Sequence, residues 1–480
     1  MGFAHFDGYV HASGTRLVDG SGAELTLHGV GLGNWLLPEG YMWGFADDMS
    51  SPRQIEARFE QLVGPERAAE FWRKFRVGFI TEADVARIAL LGFDHVRLPL
   101  NARGLIDDQG ELIAEGVAHV DRLVDWCEAH GLWVLLDLHG APGGQTGTNI
   151  DDSVAGKPEL FMDKHYRDLT VRLWRAVAMR YRDRTCVLGY DLLNEPLPNE
   201  WQHVYGLDLM ELYADITAAI REVDPHHLLM YEGVHWATDF SLFTEPLDPN
   251  SALHFHRYWC APDRGSISHV LEARQRLQTP IYMGEGGENT PEWLYAAFRL
   301  YERHGIGWNF WPWKKLDTVT SPLSMRLPRG WDLISATAGP APDPDEAWRI
   351  LESYLEGMTV ERCDERPAVT SALFAHGPAR LAAWSGVDHD DAGPANAALV
   401  TAPDSLWQHG GGQPYSPAEL SVAVDVAAGD SLRFVLAQRP ESWSLDADDP
   451  AALESRWDGA AIVVNAVRST AFRALTVSRS

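Results

Sequence analysis

The sequence has few cysteines, little positive charge and no long apolar segment. Its 4 cysteines are widely spaced along 480 residues and form no C-x-x-C pair, which argues against a zinc site and a disulfide framework. No apolar stretch approaches the roughly 20 residues of a membrane-spanning helix. The net charge of −28 disfavours nucleic acid or an anionic membrane as the main partner. A neutral polar substrate fits this composition better.

The amino terminus lacks a recognisable targeting signal. Residues 1–6 contain neither the basic region nor the apolar core of a signal peptide. Phe6 stands where a myristoylation signal has serine or threonine. We therefore expect a cytoplasmic protein. We also expect it to be a monomer or a weak oligomer.

Two apolar segments each end in a glutamate. Residues 186–193 lead into Asn194 and Glu195, and residues 280–284 lead into Glu285. A buried strand that delivers polar side chains at its carboxyl end has this pattern. Glycoside hydrolysis requires such a pair of carboxylates, because one protonates the leaving oxygen and the other attacks the sugar or activates water. The alternative is that the two glutamates lie in unrelated surface loops.

Eight short apolar strands alternate with helical patterns over roughly the first 340 residues. The alternation predicts a parallel sheet of the α/β class, and eight repeats predict a (β/α)₈ TIM barrel. An open doubly wound sheet is the competing fold, but no G-x-G-x-x-G motif follows any strand. The predicted helices include 52–76, 116–130 and one that a capping box opens at Thr81 and Gly92 ends.

The pattern changes after a last predicted helix at 348–355. Short alternating segments separated by glycine, proline and aspartate then predict an antiparallel β-sandwich. We therefore predict a barrel domain over 1–358 and a sandwich domain over 359–480, with no flexible linker between them. Four aromatic residues of the tail could form a sugar-binding face, although a supporting domain is favoured because sandwich cores also need aromatic side chains. They are Trp407, Tyr415, Trp443 and Trp457.

Seven motifs together make the chain resemble glycoside hydrolase family 5, a family of (β/α)₈ retaining glycosidases. Their pattern is similar to that of its exo-β-1,3-glucanase branch. They follow one another in the family's order over about residues 25–320. The motifs are Trp35–Glu39, Val96–Pro99, Asp137–Gln145, Leu193–Pro196, His256–Tyr258, Gly284–Glu285 and Trp308–Lys314.

The resemblance implies a catalytic pair. It assigns Glu195 as acid/base and Glu285 as nucleophile of a retaining β-glycoside hydrolase, of the exo-glucanase or β-glucosidase type, with neither metal nor cofactor. The substrate it implies is a β-glucoside or a β-glucan oligosaccharide. Arg97 would lie beneath Glu285 and keep it ionised, and Asn194 would donate to the sugar 2-hydroxyl. A transglycosylase with the same residues and a non-catalytic carbohydrate-binding protein are the alternatives.

Further residues are implied to bind or orient the sugar. Glu39 and His139 would bind sugar hydroxyls, and Tyr258 would lie against the nucleophile beside His256. His254 is a rival to His256, because residues two apart share one face of a strand.

One tryptophan is implied to stack on the sugar ring. Trp311 and Trp313 compete for this role, and Trp311 is favoured. The chain also departs from the family pattern at Asn34, where relatives usually carry glycine, and in the loop at 149–152. These departures leave the exact substrate open.

Overall fold

A computed structural model provides the fold of the chain. It describes residues 6–46, 48–148, 151–260, 262, 264–289, 291–339, 341–374, 419–426, 428, 431–435, 442–457 and 461–478. The contacts divide the chain into two units, which we treat separately. The first unit comprises Met1–His256, Val270–Gly286 and Ile306–Glu365, and the second comprises Arg257–His269, Gly287–Gly305 and Arg366–Ser480. The predicted domain boundary between residues 358 and 359 stays a prediction.

Eight parallel strands close into a barrel, which confirms the predicted α/β fold. Neighbours along the chain pair with each other, and the last strand pairs with the first, with Phe310 opposite Val30. The strands are β1 (His28–Gly31), β2 (His95–Asn101), β3 (Trp133–Gly140), β4 (Val187–Asp191), β5 (Leu228–Glu232), β6 (Ser251–His256), β7 (Ile281–Gly287) and β8 (Gly307–Trp311).

Helices alternate with these strands along the chain. The predicted capping box is present, since the Thr81 backbone N–H donates to Asp84 at 2.9 Å, and Gly92 ends that helix with a φ of 101°. Left-handed backbone at this position favours glycine. The α-helices are Pro52–Val63, Pro65–Gly78, Glu82–Leu91, Ala102–Leu105, Ala114–His130, Glu159–Met162, Lys164–Tyr181, Trp201–Arg221, Val234–Ala237, Arg264–Leu277, Pro291–Arg303, Trp331–Ser335, Pro344–Gly357 and Pro367–Leu373.

The amino-terminal segment packs against one end of the barrel. It forms a small antiparallel sheet of His11–Ser13, Arg16–Val18 and Glu24–Leu25. Its Val10 and Leu17 belong to one buried cluster with barrel residues such as Trp133 and Tyr282. The polar site therefore has to form at the other, carboxyl, ends of the strands.

Most of the described tryptophans lie in the core rather than on a sugar-binding surface. Trp43 stacks on Tyr354 at a centroid distance of 4.6 Å, and its ring also contacts Phe59, Phe71 and Phe75 of the two helices after it. These helices between β1 and β2 thus carry an aromatic core of their own. A further small sheet in the first unit joins Lys314–Leu316, Leu323–Met325 and Asp364–Glu365.

The second unit contains two three-stranded antiparallel sheets. One orders Glu419–Val426, Thr470–Ser478 and Ser442–Ala447, and the other orders Ser431–Val435, Ala461–Ala466 and Leu453–Trp457. The indole N–H of Trp443 donates to Ser455 Oγ of the other sheet at 2.9 Å. Antiparallel pairing agrees with the prediction, while face-to-face packing as a sandwich stays a prediction. Trp407 and Tyr415 lie outside the described residues.

Within the described part of the chain, no helix combines the length and the apolar character needed to cross a membrane.

Candidate active site

One buried arginine lies at the centre of the polar cluster. Arg97 on β2 donates through Nε to Asp191 at 2.8 Å and through Nη2 to Glu232 at 3.1 Å. The same Nη2 lies 3.1 Å from Asp137, and Nη1 donates to Glu285. Burial by itself would lower the pKa of Arg97, but the four carboxylates raise it well above its ordinary value. The guanidinium therefore stays charged.

The two glutamates singled out from the sequence lie side by side in this cluster. Glu195 follows β4 and Glu285 lies on β7, and one oxygen of each lies within 4.8 Å of the other. Both residues are buried, with 8% and 4% exposure. Two carboxylates at this separation can act on opposite sides of one bond.

His256 on β6 contacts both glutamates. Its Nδ1 lies 2.7 Å from Glu195 Oε1 and 3.6 Å from Glu285 Oε2. Burial would lower the pKa of His256, but Glu232 and these two carboxylates raise it well above its ordinary value. The structure thus distinguishes His256 from its rival His254, because His254 contacts Asp191, at 3.1 Å, where His256 contacts Glu195 and Glu285.

Small residues and unusual backbone make this arrangement possible. A Cβ on Gly284 would lie 1.4 Å from His254 Nε2, so a larger residue cannot precede Glu285 there. The register of β7 shifts between Met283 and Glu285, which sets Glu285 opposite His256. Glu195 has a φ of 42°, a left-handed conformation that non-glycine residues rarely adopt.

Asn194 and His139 extend the cluster from β4 and β3. The amide oxygen of Asn194 accepts from Arg97 Nη2 at 2.7 Å, and its nitrogen lies 3.4 Å from His139 Nε2. His139 Nδ1 lies 2.7 Å from Asp137, and its Nε2 lies 3.9 Å from Glu39. Burial lowers the pKa of His139 to about 4, so the imidazole is neutral near pH 7.

The two candidate stacking tryptophans occupy different surroundings. Trp311 stacks on His139 at a centroid distance of 5.5 Å, and a Cβ on Gly31 would lie 2.4 Å from its ring. Both tryptophans are buried, with 3% and 1% exposure, and the indole N–H of Trp313 donates to Asp84 at 3.0 Å. Trp311 therefore lies with the polar cluster, whereas Trp313 contacts Asp84.

Tyr258 belongs to the second unit, in the segment Arg257–His269. It is partly buried, and its ring lies 5.1 Å from that of Trp259. Its implied contact with the nucleophile stays a prediction.

The two departures from the family pattern have different structural consequences. Asn34 has a φ of 70°, in the region where glycine is favoured and asparagine is tolerated. In the loop after β3, Asp151 accepts from the Thr146 hydroxyl at 2.7 Å, and Asp152 is paired with Arg103. Residues 149 and 150 lie outside the described residues.

Sequence reasoning missed three carboxylates of the site. Asp137, Asp191 and Glu232 are all fully buried around Arg97. Asp191 and Glu232 end their strands, which was the available signal, whereas Asp137 lies three residues before the end of its strand. Burial raises the pKa of Asp137 well above its usual range. Burial opposes ionisation of Asp191 as well, but His254 and Arg97 hold the pKa of Asp191 below its usual range.

Two sets of side chains have the spacing of metal ligands. Glu232, His254 and His256 form one, and Glu195, His256 and Glu285 form the other, each with donor atoms within 4.8 Å. The guanidinium of Arg97 contacts a carboxylate of both sets. Its fixed positive charge opposes a cation in either position.

Comparisons with known proteins agree with this fold. A β-xylosidase of Phanerodontia chrysosporium is 38% identical over 52% of this chain and 52% of its own length. A probable glucan 1,3-β-glucosidase A of Emericella nidulans is 32% identical over 54% and 66%, and endoglucanase C of Acetivibrio thermocellus is 34% identical over 50% and 85%. The chain thus spans about half to two thirds of the first two relatives.

Solved structures show the same fold at lower identity. An endogalactoceramidase structure has a TM-score of 0.51 and 15% identity, over 98% of this chain and 100% of its own. A structure named AoRut has a TM-score of 0.51 and 18% identity, over 64% and 91%. The family model described as cellulase (glycosyl hydrolase family 5) matches residues 58–317, more than half of the chain. The chain therefore belongs to glycosyl hydrolase family 5.

Proposed function

We propose that the protein is a retaining β-glycoside hydrolase with Glu285 as nucleophile and Glu195 as acid/base. The observation that carries this proposal is the approach of their carboxylate oxygens to within 4.8 Å. Retaining enzymes place the two carboxyl groups about 5–5.5 Å apart, whereas inverting enzymes need about 6.5–9.5 Å to admit a water molecule. Family membership supports the same chemistry.

The surroundings of the two glutamates support this division of roles. Arg97 contacts Glu285, and a neighbouring cation favours the ionised form that a nucleophile needs. Glu195 instead lies 2.7 Å from His256 Nδ1, and this contact holds its carboxyl group in place. Asn194 is adjacent to Glu195 and accepts a hydrogen bond from Arg97, and we assign it the donation to the sugar 2-hydroxyl.

The reaction then has two balanced steps. Glu285 attacks the anomeric carbon as the bond to the leaving oxygen breaks, and Glu195 gives its proton to that oxygen. In the second step water attacks the glycosyl-enzyme, Glu195 takes a proton from the water, and the bond to Glu285 breaks. The product keeps the β configuration because the carbon has been inverted twice.

A terminal β-glucosyl unit is the substrate we favour. Trp311 against His139, with Glu39 within 3.9 Å of that histidine, provides an aromatic face beside acceptors for sugar hydroxyls. The names of relatives as glucan 1,3-β-glucosidase support exo-action on a β-glucan or small β-glucoside. The relative named β-xylosidase makes a β-xyloside the second candidate.

The first experiment is a hydrolysis screen with aryl β-glucosides, aryl β-xylosides and β-1,3- and β-1,4-glucans. We expect release of single sugars with retained configuration, observed by proton NMR during the first turnovers. Products of inverted configuration would refute the double displacement, and transfer of the sugar to an added alcohol in preference to water would identify a transglycosylase.

The second experiment separates the roles of the two glutamates. Glu285→Ala should abolish turnover, and azide or formate should restore part of it with inverted product, because a small anion fills the vacated space. Glu195→Ala should keep the first step on substrates with good leaving groups, which need little protonation. Near-normal activity of Glu285→Ala would refute the assignment.

A further inference from the structure

Glu232 is a buried carboxylate at the end of β5 that the mechanism above does not use. Its side chain is fully buried, and its two oxygens face different partners. Oε2 accepts the backbone N–H of Glu195 at 2.6 Å. Oε1 lies 3.1 Å from Arg97 Nη2 and 3.3 Å from His256 Nε2. Glu232 thus contacts the main chain of one glutamate and the imidazole that touches both.

The backbone contact holds Glu195 in an uncommon conformation. A φ of 42° places Glu195 in the left-handed region, which disfavours a residue with a Cβ. The oxygen of Glu232 accepts this hydrogen bond at 2.6 Å, whether the carboxyl group is protonated or ionised. The bond to Glu232 therefore offsets the conformational cost and sets the direction in which the Glu195 side chain leaves the backbone.

The imidazole contact orients the partner of the Glu195 carboxyl group. His256 has Nδ1 at 2.7 Å from Glu195 and Nε2 at 3.3 Å from Glu232, so it lies between two carboxyl groups. The carboxyl groups raise the pKa of His256, so both ring nitrogens carry protons, and each nitrogen faces a carboxyl group. The contact of Nε2 with Glu232, beside His254 Nε2 at 3.1 Å, fixes the ring plane, so that Nδ1 stays directed at Glu195.

We propose that Glu232 is a positioning residue for the acid/base, holding Glu195 through its backbone N–H and through His256. The inference rests on the proposed role of Glu195. It predicts that loss of Glu232 harms the proton transfers of Glu195 more than the attack of Glu285 on the sugar.

Leaving-group dependence distinguishes these effects. Departure of 2,4-dinitrophenolate needs almost no protonation, whereas departure of phenolate depends on the general acid, whose contribution is typically about 10²–10⁴-fold. For Glu232→Ala we expect kcat/KM on the phenyl β-glycoside to fall by about 100-fold. On the 2,4-dinitrophenyl glycoside kcat/KM should stay within about threefold, while kcat falls because the second step needs Glu195 as a base.

Two further variants make the test specific. Glu232→Gln keeps one oxygen for the Glu195 N–H but presents an amide N–H₂ to His256, so we expect a smaller, still selective loss on the phenyl substrate. Asp191→Asn removes another buried carboxylate from Arg97, which contacts Asp191 through Nε. This matched control should lower kcat/KM on the two substrates by similar factors.

The outcomes separate this inference from the proposed function. Equal losses on both substrates for Glu232→Ala and Glu232→Gln, or no loss in either, would overturn the positioning role. If Glu195→Ala itself loses activity equally on both substrates, the acid/base assignment fails and the inference fails with it. If Glu232→Ala does not fold, Glu232→Gln decides alone, since a selective loss supports the role and a uniform one overturns it.

Discussion

Replacing Arg97 with lysine tests whether one buried cation holds the carboxylates of the site together. Arg97 donates to Asp191 at 2.8 Å, to Glu232 at 3.1 Å and to Asn194 at 2.7 Å, and it also contacts Glu285. A lysine ammonium keeps the charge but cannot span these partners, because it is a single point on a flexible stem.

The size of the effect follows from these contacts. A hydrogen bond to a charged group contributes roughly 1.5–3 kcal/mol, and breaking a buried ion pair costs about 3–5 kcal/mol. Lysine can still contact one or two of the carboxylates, so we expect the free energy of unfolding to fall by about 3–5 kcal/mol. Because Glu285 loses its fixed partner, kcat/KM should fall by about 100-fold or more.

The assay compares urea unfolding, followed by tryptophan fluorescence, with kcat/KM on an aryl β-glycoside. Arg180→Lys is the matched control, because Arg180 forms a two-point contact with Asp121 but is 40% exposed. That change should cost no more than about 1 kcal/mol and leave kcat/KM unaltered. A loss for Arg97→Lys no larger than the control's would refute the idea that the buried carboxylates depend on this arginine.

Three further predictions concern stability. Burial raises the pKa of Glu232 to about 8, above the roughly 4.3 of an unfolded chain, so its contribution to stability is full below pH 4.3 and is lost as pH rises towards 8. Glu232→Gln removes this pH dependence. The free energy of unfolding of the variant minus that of the wild type should therefore rise by about 1–3 kcal/mol between pH 5 and pH 7. If urea titrations show that this difference does not change with pH, the prediction is contradicted. Lys314 donates to buried Asp84 at 2.7 Å, so Lys314→Met should lower the free energy of unfolding by about 3–5 kcal/mol, and a loss under about 1 kcal/mol would contradict it. Helix Pro367–Leu373 contacts helix Pro291–Arg303 of the same unit, and a chain ending at residue 358 lacks it. Such a chain should be insoluble or should melt at a lower temperature than a chain ending at residue 374. Full stability and activity of the shorter chain would oppose a supporting role for the tail.

Local signals predicted the elements of the barrel and the positions of several site residues. Apolar segments of strand length, a capping box at Thr81 and a glycine stop at Gly92 depend on neighbouring residues only, and the structure contains all of them. Because parallel strands carry their carboxyl ends to the same edge, two glutamates 90 residues apart along the chain could be expected to meet there. The closed barrel is enough to explain why Glu195 and Glu285 lie close together.

Several local predictions were incomplete because they depended on partners distant in sequence. Nothing near Glu232 in the sequence indicated that its oxygens would bind the backbone of Glu195 and the ring of His256. The two units also consist of segments that are not consecutive in sequence, since the second unit includes Arg257–His269 and Gly287–Gly305. Such groupings arise from contacts between segments and leave no periodic pattern.

The sequence by itself determined the barrel, the carboxylate pair and the family, because each follows from short patterns repeated in order along the chain. The tertiary structure decided between residues that competed for the same role in the sequence. His254 and His256 share one strand face, yet closure of the barrel brings only the second within 2.7 Å of Glu195. Trp311 and Trp313 likewise differ because one packs on His139 and the other on Asp84. The burial of carboxylates around Arg97 was decided in the same way, since their pKa values depend on charges that folding brings within a few ångströms.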